Sequence, residues 1–255
     1  MSGPGLNRLA KGGQIDRGKP VRFTFDGKTF TGYAGDTLAS ALVANRVKLL
    51  GRSFKYHRPR GLLGAGAEEP NALVEIGAGA RREPNLKATT VELFDGLGAA
   101  SQNRFPSLSF DLQAVNGLLA PVFAAGFYYK TFMWPRAFWE RVYEPAIRRA
   151  AGLGKASTEA DPDRYEKANA FADVLVIGSG PSGLAAALSA SRAGARVVLA
   201  EQDFALGGRL LSERLAIDDR PGADWSAEIE EELAANPKVT ILRRTSVFGA
   251  YDHGA

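Results

Sequence analysis

Residues 173–201 constrain the fold of this chain more than any other stretch. Val174 to Ile177 is a short apolar run of the kind that forms a strand buried on both faces. Gly178, Gly180 and Gly183 follow in G-x-G-x-x-G spacing. In that pattern the first glycine permits a tight turn and the second lets the backbone approach a pyrophosphate. The third lets the next helix pack closely on the strand. Pro181 suits the first helical turn, where its missing N–H removes no intrahelical bond. The helix is predicted to run through Leu184 and Leu188 and to stop at Gly194. Ala195 to Ala200 then makes a second buried strand, with Glu201 at its end, near the distance at which an acid meets a ribose.

A glycine triplet alone is a weak signal in a chain with 29 glycines. Here strand, glycines, helix, strand and terminal acid agree, and the unit reads as a dinucleotide site. The turn residues Gly178, Ser179, Gly180, Pro181, Ser182 and Gly183 would present backbone N–H groups and the positive end of the helix dipole to a phosphate. Glu201 accepts bonds from free ribose hydroxyls and repels a 2′-phosphate, which favours NAD or FAD over NADP. The motif does not choose between those two. Gly207-Gly208-Arg209-Leu210 lies beyond the second strand. Gly208, Arg209 and Leu210 either bring further N–H groups and a positive charge to the phosphates or form a plain turn.

Composition narrows the chemistry. The chain has no cysteine, which excludes disulfides, thiolate metal sites, cysteine-held iron–sulfur clusters and cysteine nucleophiles. Its two histidines, His57 and His253, make a histidine-built metal site improbable, so no metal ligand is assigned. A net charge of +4 allows an anionic ligand or an acidic partner and demands neither. The longest apolar candidate, Leu118 to Tyr129, runs into Lys130 and is shorter than the ~20 residues that span a bilayer. The N-terminus lacks a charged-then-apolar signal pattern, so the expectation is a cytoplasmic protein with no membrane association.

Three regions follow along the chain: 1–105, 106–170 and 171–255. In the first, Val21, Phe23 and Phe25 alternate with polar residues before Asp26-Gly27, which predicts a β-hairpin over 21–33. Asp36 is the expected N-cap of a helix that buries Leu38 and Leu42. Leu73–Ile76 and Thr89–Phe94 read as further strands, giving a β-grasp-like α+β domain. The run 52–60 is basic, with interleaved aromatics. It reads as a solvated or partner-pairing loop, because the rest of the chain is too weakly basic for nucleic acid. His57 is expected to be a packed loop residue, with no other candidate catalytic group placed near it.

The second region concentrates Phe123, Phe127, Tyr128, Tyr129, Phe132, Trp134, Phe138, Trp139 and Tyr143 around Pro135. Core packing of helices and an aromatic docking surface both account for it. Residues 156–170 read as an exposed linker. In the third region an amphipathic helix over 225–233, a strand over 239–242 and an approach to a fourth strand from Thr245 follow the dinucleotide unit. A doubly wound sheet uses more strands than these, so the expectation is a Rossmann-like domain incomplete at the C-terminus, the front portion of a larger architecture.

Several runs together resemble the α subunit of heterotetrameric sarcosine oxidase: 35–42 (GDTLASAL), 51–61 (GRSFKYHRPRG), 69–74 (EPNALV), 126–132 (GFYYKTF), 144–148 (EPAIR) and 151–154 (AGLG). The resemblance implies a ferredoxin-like domain followed by a dinucleotide domain that holds NAD. Related amine and opine oxidoreductases keep cysteines after the Arg-Pro-Arg-Gly loop. Here that stretch is Leu62 to Glu68 without one, so a cluster-free domain is expected. The resemblance places Ser182, Glu201, Gln202, Asp203, Arg209 and Val247 along the NAD. It implies FAD and FMN in an assembly with β, γ and δ subunits, and tetrahydrofolate in a part of the family chain absent from these 255 residues. Sarcosine would be oxidised on the β subunit to glycine, with peroxide and formaldehyde or methylene-tetrahydrofolate as the other products. No residue of this chain takes a catalytic role. An α-like subunit of a related amine or opine dehydrogenase and a non-catalytic nucleotide-fold interaction subunit are the alternatives.

Overall fold

The computed structural model describes residues 7–121, 126 and 132–251. They fall into two compact units, Met1–Asp163 and Arg164–Ala255. In the first, the alternating aromatics form β1 (Asp16–Phe25) and β2 (Lys28–Ala34), with Phe25 paired to Lys28 across the two-residue turn. Asp26 and Gly27 have φ of 48° and 75°, the left-handed pair that matches strand twist in a tight hairpin. Helix α1 (Leu38–Ala44) starts one residue later than expected. Thr37 is the N-cap, its hydroxyl and the Ser40 side chain closing a reciprocal capping box. Asp36 instead accepts hydrogen bonds from the Ser40 hydroxyl at 2.6 Å and from Nη1 and Nη2 of the Arg8 guanidinium.

The remaining strands of this unit are β3 (Gly51–Arg52), β4 (Pro59–Arg60), β5 (Leu73–Ile76), β6 (Glu83–Lys87) and β7 (Leu97–Ser101). The five-stranded sheet runs β2-β1-β7-β5-β6, with β1 and β7 parallel at its centre and the other pairs antiparallel. Leu38 and Leu42 are fully buried in one core with Phe23, Phe25, Val74 and Leu97. Each such side chain contributes about 1.5–3 kcal/mol. Residues 89–94, expected as a strand, are not one. Their backbone serves the start of α1: Leu38 N–H donates to Val91 O and Leu93 N–H to Asp36 O.

Residues 112–119 and 136–138 form 3-10 turns, and 139–143 a π turn that continues into α2 (Glu144–Ala150). Within the aromatic segment some rings pack on one another and others are exposed. Tyr143 packs on Phe132 and Phe138 and donates to Trp134 O at 3.0 Å, whereas Trp134 itself is 83% exposed. Phe123, Phe127, Tyr128 and Tyr129 lie outside the described residues.

In the second unit, β8 (Val174–Ile177), α3 (Pro181–Arg192), β9 (Val197–Ala200), the short hairpin β10 (Ala216–Ile217) and β11 (Arg220–Pro221), α4 (Gly222–Ala235) and β12 (Val239–Leu242) follow in order. The sheet is β12-β9-β8, all parallel, in the 3-2-1 order of a dinucleotide-binding half. Leu184, Ala187, Trp225, Ile229 and Leu233 of the helices bury Val176, Val197 and Leu199. Covering stops there: Leu175 and Ile177 are 54% and 62% exposed, so β8 is buried on one face rather than two. Residues 245–251 form no fourth strand. Arg244 N–H donates to Asp203 O and Thr245 N–H to Glu201 O, which lays this segment along the end of β9 instead. No helix among the described residues is long and apolar enough to cross a membrane.

Asp173, at the mouth of β8, accepts from the Arg196 guanidinium and backbone N–H, and these bonds hold its carboxyl down to about 2. A depressed acid contributes stability above its unfolded pKa and loses it as pH falls through the folded value. NMR titration should therefore find the Asp173 midpoint near 2. In Arg196→Ala it should rise but stay below about 3.9, because the backbone N–H of residue 196 still donates to it.

Candidate dinucleotide-binding site

The carboxyl end of β8 leads directly into the glycine turn. Gly178 takes φ +87°, and its N–H donates to Ala200 O at 2.8 Å, joining the turn to the end of β9. A Cβ at Gly183 would lie 2.0 Å from Gly178 O, so only glycine lets α3 close on the strand. A Cβ at Gly180 would meet nothing within 4 Å. The space in front of the second glycine is open, as the approach of a pyrophosphate requires. Behind that opening, Ser182 and Gly183 occupy the first turn of a twelve-residue helix, where backbone N–H groups have no intrahelical acceptor and the dipole is positive.

Glu201 reaches the site from the end of β9, but not as a free acid. Its Oε2 accepts both the backbone N–H and the hydroxyl of fully buried Ser179, each at 2.6 Å, and its Oε1 accepts Asp203 N–H at 2.9 Å. Ser179 O in turn accepts Gly207 N–H at 3.0 Å. The knot Glu201–Ser179–Gly207 draws the second glycine pair against the first. A Cβ at Gly208, whose φ is +53°, would lie 3.2 Å from Gly180 Cα.

The predicted contacts sort accordingly. Gly178, Ser179, Gly180, Pro181, Ser182, Gly183, Glu201 and Gly208 gather at one mouth, with Gln202 exposed beside it and Asp203 half-buried. Arg209 is ion-paired with Glu213, its Nε 2.6 Å from the carboxylate. The Leu210 side chain is buried in the core and its N–H donates to Gly207 O at 3.1 Å. Val247 lies exposed in the segment that follows Thr245, with no regular structure to aim it.

The basic run outside this site folds as the β3/β4 hairpin. Lys55 and Arg58 lie over the Tyr56 ring at 5.0 and 4.9 Å, and Arg52 donates to Leu108 O and His57 O. His57 is buried as expected, yet it has a partner that the sequence did not suggest. Its Nδ1 is 2.7 Å from Asp111 Oδ2, and both side chains are fully buried. The two residues are 54 positions apart, with no local pattern to link them. Among the described residues no group of His, Asp and Glu is arranged to hold a metal ion.

A β-grasp unit followed by a parallel 3-2-1 sheet with a glycine turn and an acid at the second strand defines a class: a ferredoxin-type module joined to a flavin- or nicotinamide-dinucleotide domain of oxidoreductases. The family comparisons agree. Residues 18–104 match the 2Fe-2S iron-sulfur cluster binding domain, and 173–248 match the FAD dependent oxidoreductase family. Over 245 residues the chain is 61% identical to sarcosine oxidase subunit alpha of Rhizobium meliloti (strain 1021), covering 96% of this chain and 25% of that protein. It is 36% identical to the subunit of the same name from Corynebacterium sp. (strain U-96), covering 94% of this chain and 20% of that one. The chain is thus homologous to sarcosine oxidase alpha subunits over nearly its whole length, and spans a quarter or less of theirs. The crystal structure of L-proline dehydrogenase from P. horikoshii shares the fold, with a TM-score of 0.54 at 21% identity over 94% of this chain and 36% of that one.

Two substitutions separate folding from binding. Gly183→Ala should lose about 1–3 kcal/mol in urea unfolding, because its Cβ meets a backbone oxygen. Gly180→Ala should unfold within about 1 kcal/mol of the parent, since its Cβ enters open space. Removing the acceptor with Glu201→Ala should cost about 1–3 kcal/mol, by leaving the buried Ser179 N–H and hydroxyl unpaired.

Proposed function

We propose that this chain is the NAD-binding part of the α subunit of a cytoplasmic multi-subunit flavoenzyme that oxidises sarcosine. Glycine, hydrogen peroxide and formaldehyde or methylene-tetrahydrofolate are the products of the assembly. The observation that carries the reading is the open space at Gly180, between the free first turn of α3 and the Gly208 backbone, combined with 61% identity to a sarcosine oxidase alpha subunit. In it the N–H groups of Ser182, Gly183 and Gly208 hold the pyrophosphate. Glu201, Gln202 and Asp203 border the ribose, and the lone pair that Glu201 keeps beyond its three protein donors accepts a ribose hydroxyl. The bound dinucleotide supplies either a structural ligand or a hydride carrier. This chain's residues bind and orient it.

FAD in the same site is the second reading, favoured by the match of residues 173–248 to an FAD dependent family. FMN, the sarcosine site and tetrahydrofolate belong on this proposal to other parts of the assembly with β, γ and δ subunits. Trp134 and Phe138, exposed on the connector, are the docking aromatics.

Denaturing the purified protein and separating the released nucleotides tests the cofactor. NAD is the expected species, FAD alone would transfer the site to the second reading, and NADP alone or no nucleotide would refute both. Gly180→Val should lower occupancy at least about tenfold with the fold intact. In co-expression with a β partner, Trp134→Ser with Phe138→Ser should weaken the complex by about 30-fold or more, the effect of a lost hot spot near 2 kcal/mol. Gel filtration and sarcosine-dependent peroxide production read that outcome, and an unaffected complex would move the interface elsewhere.

A further inference from the structure

The family matched by residues 18–104 implies a [2Fe–2S] group, and the donor set does not fit one. Iron in such clusters is held by thiolates, or in part by imidazoles. The stretch holds no cysteine and a single histidine, His57, whose Nδ1 is taken by Asp111. What the fold offers in place of ligands is a loop of converging backbone N–H groups. Oε2 of Glu69 accepts Leu63 N–H and Gly64 N–H, both at 2.6 Å, and Oε1 accepts Asn71 N–H at 2.7 Å. The next two N–H groups, of Ala65 and Gly66, reach Oε1 of Glu68 at 3.2 Å. Four successive N–H groups therefore point at carboxylate oxygens. Backbone concavities of this kind bind anions, phosphates and iron–sulfur centres among them.

Glu69 is fully buried. A carboxylate in that position is tolerable only when charge-assisted bonds replace its water, and the three N–H groups do so. The loop is closed around it by Glu69 N–H on Gly66 O at 3.1 Å and by the Thr89 hydroxyl on the same oxygen at 2.8 Å. Lys87 holds the neighbouring Ala67 O.

We propose that the loop 63–71 is an anion nest whose ligand is the chain's own Glu69. An internal carboxylate saturates N–H groups that could otherwise face an anionic cluster, so the domain keeps its fold without metal and carries no electrons.

The test uses the whole chain. Iron and acid-labile sulfide are measured on the purified parent, and amide hydrogen exchange is followed in the parent, Glu69→Gln and Glu69→Ala. The parent should hold neither iron nor sulfide. In Glu69→Ala the amides of residues 63, 64 and 71 should all exchange about 10–100-fold faster, since each buried N–H loses its acceptor. Glu69→Gln keeps one carbonyl oxygen, so there either the pair 63 and 64 or residue 71, whichever faces the new amide NH2, should do so. Adding sodium formate should slow exchange at those amides in Glu69→Ala and leave the parent unchanged. Should the alanine variant fail to fold, the glutamine variant and the metal analysis decide. Stoichiometric iron with sulfide in the parent would overturn the proposal. So would unchanged exchange at residues 63, 64 and 71, or formate acting on parent and alanine variant alike.

Discussion

The pairing of Glu201 with Ser179 is the interaction on which the second unit depends. Two bonds of 2.6 Å tie the end of β9 to Ser179, the second residue after β8. Parallel neighbouring strands share no hairpin to set their register, and here their carboxyl ends are joined by a buried, charge-assisted contact. Everything at the site's mouth follows from it. With Ser179 held, Gly180 is turned outward, Gly207 is drawn onto Ser179 O, and Gly208 comes to rest against Gly180. An acid usually regarded as a ribose partner is thus first a structural residue.

The same device recurs in the first unit. Asp111 accepts His57 Nδ1, Phe105 N–H and Gln113 N–H; Asp36 accepts Arg8, Ser40 and Tyr33 N–H; Glu69 accepts three backbone N–H groups. Short strands joined by long loops leave many backbone donors with no ladder to enter. A buried carboxylate satisfies several from one point, more strongly than neutral acceptors can. The loops of both units are organised in this way around buried carboxylates.

On the proposed reading this chain binds and positions a dinucleotide for a larger assembly. Asp173, whose carboxyl is held down to about 2, is a surface ion-pair partner and not a group in a cleft. Exposed apolar side chains include Leu175 and Ile177 on one face of β8 and Trp134 on the connector. On the proposed reading, the oxidation takes place elsewhere in an assembly whose alpha subunits are about four times the length of these residues.

What the sequence determined by itself was everything carried by local periodicity and turn chemistry. Asp26-Gly27 set the hairpin, G-x-G-x-x-G with Pro181 set the start of α3, Gly194 set its end, and the absence of cysteine ruled out thiolate ligands. Each of these is decided within a few residues by allowed φ, by a missing Cβ or by a missing donor atom. Tertiary structure alone decided which groups met across long separations. It gave the cap of α1 to Thr37 and left Asp36 for Arg8. It used the backbone of 89–94 to support a helix, turned Leu210 inward, exposed Leu175 and Ile177, and brought Asp111 to His57. A hydrogen bond to a buried acid depends on where distant segments are placed by packing, and one residue's type cannot encode which of several donors will arrive there.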